Sequence, residues 1–461
     1  MFRQKKPKGL NIIIVGLGRV GETLVDQLSA EGHDITVIDK DMAKVREVSD
    51  LYDVIGVAGN GASFGVQMEA GIEDANLIIA VTESDELNLL CCTVARRVGG
   101  CAAIARVRNP DYSYESSYLR DQLGLAMIIN PELEASRQMA RILGMPKALE
   151  VNTFAHGHAE LVKFKVSKDS ILDGMSISSI GAKTENVLIC AVERDGRVFI
   201  PGGSDVLREG DIASFVAPRK VARAFFKKIG TKSQQVKDTL IVGGDSAYYL
   251  ARQLLHMGIN VKIVEESQER CDRLSELLPK AIIINGDGTD EDLLREVGAE
   301  DAESFVPLTG SDEENILLTL YVKRITGDNT KVITKINRNT FSDVIDSLDL
   351  GSVLYPRYIT SEAIIAYVRA KSASRSSNIE TLSYMFDQRV EAIEFKVDTD
   401  YKGLTGIPLM RVDLKKNILI TFINRQGKII IPSGQDMILP GDTVMVVTTN
   451  KGYVAVTDIL D

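Results

Sequence analysis

An α/β fold in two tandem copies is predicted, each copy a doubly wound parallel sheet followed by a small β-rich (α+β) domain. Three observations predict it. From Asn11 onward, short apolar runs alternate with helix-patterned segments, the order that builds parallel sheets with crossover helices. A stretch beginning at Leu240 repeats the first, and self-similarity at a long period marks duplicated structure. Each α/β stretch is followed by alternating apolar residues, Leu161 to Val216 and Ala392 to Val447, the pattern of half-buried strands.

The first strand is the apolar run Ile12 to Val15, ended by Gly16. Gly16, Gly18 and Gly21 spell G-x-G-x-x-G, with Leu17, Arg19 and Val20 between them. Val20, Leu24 and Leu28 then recur at helical spacing as far as Gly32. A second strand, Ile35 to Ile38, ends in Asp39, 23 residues past Gly16 (39 − 16). Strand, glycine turn, helix and acid in this order mark a Rossmann-like dinucleotide site. Gly16 would allow the tight turn, Gly18 would let a ligand approach the backbone, and Gly21 would let the helix sit close to the strand. The N–H groups at Arg19 to Gly21 would face phosphate. Asp39 would accept from ribose hydroxyls, and its charge would repel the 2′-phosphate of NADP.

Asp41 to Leu51 reads as a helix, and Val54 to Val57 as a third strand leading into Gly59-Asn60-Gly61. A helix through Met68 ends at Gly71. Leu77 to Val81 is a fourth strand, running into Thr82, Glu83 and a helix with Asn88, Leu89, Leu90 and Val94. Ala103 to Val107, containing Arg106, is the fifth. Thr82 and Glu83 thus border the crevice where such sheets bind ligands. Arg106 would pair either with phosphate or with an acid across the cleft. Pro131 precedes a helix over Glu132 to Leu143.

In the second copy, Val264-Glu265 echoes Ile38-Asp39, and Asn285-Gly286-Asp287-Gly288 echoes the Asn60 turn. Thr309 and Asn315 stand 227 residues after Thr82 and Asn88 (309 − 82, 315 − 88), as do Ser311, Asp312 and Glu313 after Ser84, Asp85 and Glu86. In the β-rich segments Gly427 and Asp442 stand 231 after Gly196 and Asp211 (427 − 196, 442 − 211). The second glycine turn is altered to Gly243-Gly244-Asp245-Ser246-Ala247, with Glu265 only 22 residues past Gly243 (265 − 243). Asp245 adds negative charge where phosphate would sit. The first copy is therefore expected to be the main nucleotide site, and the second mainly structural or suited to a different ligand held by Glu265. Pro356 precedes a helix over Ile359 to Val368 that would pack on its own domain or cross to a partner, its place between domains favouring the crossing. Lys371 to Asn378 reads as a polar surface linker. The resulting domains are 10–130, 151–228, 236–355 and 380–461, with linking helices in 131–150 and 356–378.

Composition narrows the function classes. A chain of 461 residues with 44% hydrophobic and 26% charged residues suits several globular domains. A net charge of −10 and 6% aromatics without Trp disfavour nucleic acid as a partner. The five cysteines form no C-x-x-C pair and are expected as buried thiols. His156 and His158 lack a companion acid or thiol cluster, so a turn is expected there rather than a metal site. Lys5, Lys6 and Lys8 are followed by no apolar segment of h-region length, so a signal peptide is not expected, and no run of about 18 apolar residues occurs.

With Gly16 to Gly21, Asp39, Thr82, Asp85-Glu86, Asn88, Arg106 and Asn130-Pro131-Glu132 in one copy, and Gly243-Gly244, Glu265, Thr309 to Asn315 and Tyr355-Pro356-Arg357 in the other, the chain resembles the peripheral subunits of Trk-type potassium uptake systems. Those carry two regulator-of-potassium-conductance (RCK) domains. The resemblance implies NAD(H), ATP or ADP as ligands and no catalytic or metal residues. It implies a homo-oligomeric, tetrameric ring on the cytoplasmic face of the plasma membrane, beside a TrkH-like potassium-translocating subunit. Binding residues carried over are Gly16, Leu17, Gly18, Arg19, Val20, Gly21, Asp39, Asn60, Thr82, Glu83 and Arg106, then Gly243, Gly244, Glu265, Asp287 and Thr309.

Three other readings compete with this one. An NAD-dependent oxidoreductase needs an acid–base group on its second domain, and the small domains share no such polar constellation. A transcription regulator needs a helix-turn-helix or basic face outside the repeats. A regulator of another cation transporter or antiporter would use the same domain pair, and the two tandem copies favour the Trk assignment.

Overall fold

The computed structural model describes residues 9–113, 115–168, 170–230, 235–244, 246–337, 344–345, 348–372 and 378–461. Lys5, Lys6, Lys8, Asp245 and linker residues 373–377 lie outside these.

The first sheet has strands β1 (Asn11–Val15), β2 (Asp34–Asp39), β3 (Ile55–Ala58), β4 (Leu77–Ala80), β5 (Ala102–Arg106) and β6 (Met127–Ile129). All pair in parallel, in the order β3-β2-β1-β4-β5-β6. The five expected strands are therefore six, because the three-residue β6 is too short to carry a periodic signal. Helices cover both faces, so the central strands are apolar throughout: Ile12, Ile13, Ile14 and Val15 are all buried. Burial of each such side chain contributes about 1.5–3 kcal/mol. The chain order reverses between β1 and β4, the switch point at whose carboxyl ends such sheets bind ligands in a crevice.

The small sheet that follows is antiparallel. Its strands are β7 (Ala148–Phe154), β8 (Ala159–Lys165), β9 (Leu188–Arg194), β10 (Arg197–Phe199) and β11 (Ile212–Pro218), in the order β10-β9-β11-β8-β7. The second parallel sheet holds β12 (Asp238–Val242), β13 (Asn260–Glu265), β14 (Ile282–Asn285), β15 (Ser304–Pro307), β16 (Lys331–Lys335) and β17 (Ser352–Leu354), ordered β14-β13-β12-β15-β16-β17 as in the first. The last sheet repeats the small one with β18 (Ile379–Met385), β19 (Val390–Lys396), β20 (Ile418–Arg425), β21 (Lys428–Ile430) and β22 (Thr443–Thr448). The repeated Gly-Asp pairs have a structural reason. Asp211 takes a forked grip from Arg194 at 2.8 and 2.6 Å, and Asp442 takes the same grip from Arg425 at 2.8 and 2.7 Å.

The chain separates into two compact units, Met1–Glu134 with Tyr355–Ser374, and Ala135–Leu354 with Arg375–Asp461. In the first unit, the helix Pro356–Ser372 of the second copy packs across the repeat, on the helix Arg19–Ala30 of the first. Arg369 is 2% exposed and grips Glu31 through Nε at 2.9 Å and Nη2 at 2.5 Å.

In the second unit the two small sheets share one apolar core, including Phe154, Leu161 and Val216 from one and Met385, Phe422 and Val447 from the other. Asn152 Nδ2 donates to Ser383 Oγ at 3.1 Å, across 231 residues. That separation equals the repeat offset, so a residue meets its own counterpart, which places a local two-fold axis there.

Lys331, in the same unit, donates to the Ala148 carbonyl at 2.6 Å and to Ser352 Oγ at 2.9 Å. Desolvation, with Lys147 and Lys323 nearby, pulls its pKa down to about 7. Above pH 7 the unfolded chain keeps this proton while the folded chain releases it, so stability should rise with pH towards the ordinary lysine value, by at most about 1.4 kcal/mol per unit. Thermal unfolding at pH 7 and pH 9 should show this gain, and Lys331→Met should lack it.

His156 and His158 lie at the turn Ala155–Gly157 between β7 and β8, both exposed. All five cysteines are buried and unpaired. Among the described residues no helix is long and apolar enough to cross a membrane.

Candidate functional site

The first crevice is built by the turn after β1. Gly16 has φ +98°, and its N–H donates to the Ile38 carbonyl at 2.8 Å, which ties the turn to β2. A Cβ on Gly16 would meet Thr82 N at 2.9 Å, so Thr82 borders the same turn. A Cβ on Gly21 would lie 1.9 Å from the Gly16 carbonyl oxygen, while one on Gly18 would meet nothing within 4 Å. Gly21 is thus required by packing, and Gly18 faces open space. Leu17 and Val20 are buried in the core, so they offer only backbone to a ligand.

The first hydrogen bond of the helix Arg19–Ala30 runs from Glu22 N to Gly18 O at 3.0 Å, and no side chain caps it. The N–H groups of Arg19, Val20 and Gly21 precede that bond and have no helical acceptor. They make an anion-favouring end.

Asp39 closes the crevice from β2. Its Oδ2 accepts from Leu17 N–H at 2.7 Å and its Oδ1 from Asp41 N–H at 3.0 Å. An ionised carboxylate has about four acceptor sites, so sites remain for a diol. Asn60 is exposed, and its Oδ1 accepts from Ala62 N–H at 3.0 Å. Gly59 N–H donates to the Asp39 carbonyl at 2.8 Å, which sets the Asn60 turn beside Asp39.

Thr82 is fixed by Asn88. Asn88 Oδ1 accepts from Thr82 N–H at 2.8 Å and from its hydroxyl at 2.7 Å, while Asn88 Nδ2 donates to the Arg106 carbonyl at 2.9 Å. The side chain of Glu83 is exposed, and its carbonyl accepts from Arg108 Nη2 at 2.5 Å. Arg106 meets an acid, Glu132, with Nη2 to Oε1 at 3.4 Å. Burial lowers its pKa against the raising effect of Glu132.

The second crevice, about 450 Å³, is lined by Gly243, Gly244, Glu265, Asp287 and Thr309, so all five second-copy candidates come together. Gly243 N–H donates to the Val264 carbonyl at 2.7 Å, as Gly16 does to Ile38. Gly244 has φ +88°, and a Cβ there would lie 1.8 Å from the Leu308 carbonyl oxygen. Glu265 is 5% exposed, with Oε1 accepting from Ser267 N–H at 3.0 Å and Oε2 3.5 Å from Arg270 Nε. Asp287 Oδ1 takes the Thr289 N–H at 2.8 Å, as Asn60 takes Ala62, and this bond holds its carboxyl below the ordinary value. Thr309 is clamped by Asn315 at 2.9 and 3.0 Å.

Two lining cations escaped the sequence reading. Arg270 sits on the helix after Glu265, where nothing in the pattern singles it out. Lys335 ends β16 with its Nζ donating to the Leu308 carbonyl at 2.9 Å. It ends its strand as Arg106 ends β5, and that shared position was the available signal.

Comparison with known proteins follows the same division. The TrkA-N domain model matches residues 12–131 and 239–356, and the TrkA-C domain model matches 161–230 and 392–461. A Trk system potassium uptake protein TrkA homolog of Archaeoglobus fulgidus is 32% identical over 437 residues, covering 95% of this chain and 97% of that protein. The TrkA of Halomonas elongata is 30% identical over 446 residues, covering 96% of each. Among solved structures, the GsuK RCK domain aligns with TM-score 0.64 at 17% identity, over 96% of this chain and 93% of that one. A GsuK channel bound to NAD aligns with TM-score 0.63 at 16% identity, over 96% and 78%. The likeness to GsuK is one of fold. The chain belongs to the TrkA family of Trk-system potassium uptake proteins, with the TrkA-N and TrkA-C pair present twice.

Proposed function

We propose that the protein is a nucleotide-sensing regulatory subunit, without catalytic activity, that lies peripherally on the cytoplasmic face of the plasma membrane. It gates a TrkH-like potassium-translocating subunit. Its domains are 10–130, 151–228, 236–355 and 380–461, joined through helices in 131–150 and 356–378. Four chains form the ring. Different nucleotides make different contacts in the first crevice and so favour different ring shapes.

The ligand is NAD(H), ATP or ADP. Its phosphates lie on Gly16, Leu17, Gly18, Arg19, Val20 and Gly21, its ribose on Asp39, and its adenine beside Asn60. Thr82, Glu83 and Arg106 border the phosphate side. The second crevice, with Gly243, Gly244, Glu265, Asp287 and Thr309, takes an altered ligand or none. The observation that carries this reading is the Asp39 carboxylate 2.7 Å from Leu17 N–H, beside an open Gly18 and three helix N–H groups without helical acceptors. Family membership supports it, as does the NAD bound by the like-folded GsuK channel.

Calorimetric titration of NADH and ATP into the full chain and into Asp39→Ala tests the site. The variant is expected to lose at least tenfold in affinity, about 1.4 kcal/mol. Tight binding at full stoichiometry in the variant would refute the assignment. Potassium flux through the co-purified membrane partner should change with nucleotide, and a flux indifferent to every nucleotide would refute the gating.

A further inference from the structure

The cations that end β5 and β16 occupy matching places but meet different neighbours. Asn88 Nδ2 holds the Arg106 carbonyl at 2.9 Å, and Asn315 Nδ2 holds the Lys335 carbonyl at 3.1 Å. Lys335 lines the second crevice together with Gly243, Gly244 and Glu265. By the repeat, Arg106 borders the first crevice, one asparagine away from Thr82 and the Gly16 turn.

Arg106 is turned towards Glu132, and the pair is poorly made. The side chains are 16% and 14% exposed, and their one contact is 3.4 Å long. A well-formed arginine–carboxylate pair makes two parallel bonds of about 2.7–2.9 Å. Here Arg106 Nε and Glu132 Oε2 are buried with no hydrogen-bond partner. A phosphate oxygen on Arg106 would satisfy a donor that Glu132 leaves unmet.

Glu132 is the second residue of the helix Pro131–Gly144. That helix begins in one compact unit and passes into the other after Glu134. In the second copy Pro356 is followed by Arg357 rather than an acid. The pairing of a crevice cation with an acid at the start of a linking helix therefore belongs to the first copy.

We propose that Glu132 is the coupling residue of the first crevice. It holds Arg106 while no polyphosphate is bound, and it loses Arg106 to the phosphates of a bound nucleotide, so the start of the helix Pro131–Gly144 responds to ligand charge. The inference rests on the nucleotide reading above. Once phosphate takes Arg106, the Glu132 carboxylate faces a like charge without its partner and is driven from its place. ATP, with more phosphate charge than NADH, displaces it further.

The test uses the full chain and Glu132→Gln, with nucleotide affinity from calorimetry and hydrogen exchange over Pro131–Gly144. In the wild type, ATP is expected to change exchange at the start of this helix, and NADH to change it less. Glu132→Gln should bind ATP about 5-fold tighter or more, with exchange in the helix the same with and without ATP. Unchanged or weaker ATP binding by the variant, or a retained helix response, overturns the proposal. The wild-type comparison needs no variant: ATP binding without any change in the helix overturns the coupling alone. A wild type that binds neither nucleotide overturns the nucleotide reading and the coupling with it.

Discussion

Arg369→Ala is expected to destabilise the first compact unit by about 3–5 kcal/mol, because it leaves Glu31 enclosed without its partner. The guanidinium is 2% exposed, and the Glu31 side chain that it grips with two nitrogens is 18% exposed. The pair fastens the helix Pro356–Ser372 to the helix Arg19–Ala30, so the loss should appear as faster hydrogen exchange in both helices as well as a lower denaturation midpoint. A double variant, Arg369→Met with Glu31→Leu, removes both charges and should recover most of the loss. His33 supplies a second readout. Its Nε2 lies 4.0 Å from Glu31, and its pKa is lowered by burial, with Arg369 adding to the lowering and Glu31 opposing it. Removing Arg369 takes away the cation that adds to the effect of burial and leaves the opposing Glu31 and Asp34 in place, so the His33 pKa should rise in the variant. A protonated His33 then partly replaces the lost arginine. The destabilisation should be smaller at low pH and grow as pH rises through that new pKa. A destabilisation independent of pH would separate His33 from the pair.

Gly21→Ala should impair both folding and ligand binding, whereas Gly18→Ala should impair binding alone. The added methyl at position 21 would sit 1.9 Å from the Gly16 carbonyl oxygen and 3.6 Å from Val81 Cγ2. The obstacle is backbone, so the helix must lift away from the strand, at a cost of about 1–3 kcal/mol. The same shift moves the three N–H groups at Arg19 to Gly21 and the Leu17 N–H that holds Asp39. Nucleotide affinity should therefore fall with stability. At position 18 a Cβ meets nothing within 4 Å and φ is −80°. Gly18→Ala should leave the denaturation midpoint unchanged to within about 0.5 kcal/mol, yet weaken nucleotide binding because its methyl points into open space that the ligand would occupy. Equal effects of the two variants on stability would contradict this division.

Much of this protein was legible in the sequence. The Gly16 to Gly21 turn and Asp39 at the end of β2 are local arrangements set by spacing along a strand, a turn and a helix, whereas the hold of Asn88 on Thr82 is visible only in the structure. The repeat offsets of 227 and 231 (309 − 82, 442 − 211) identified the second copy of each domain for the same reason, since matching residues must fill matching positions in matching sheets. The short strands β6 and β17 were not legible, because three residues cannot display a period and their pairing partners define them.

Contacts between residues distant in sequence were decided only by the tertiary structure. Arg369 and Glu31 are 338 residues apart, and nothing in either neighbourhood names the other. The helix pattern after Pro356 showed an apolar face without showing which surface would cover it, because hydrophobic burial is non-directional. Sequence position leaves Arg106 open to phosphate or to an acid, and the structure brings Glu132 to it at 3.4 Å. Spacing along the chain determines which groups each turn presents. Packing across the chain determines which charges those groups must share.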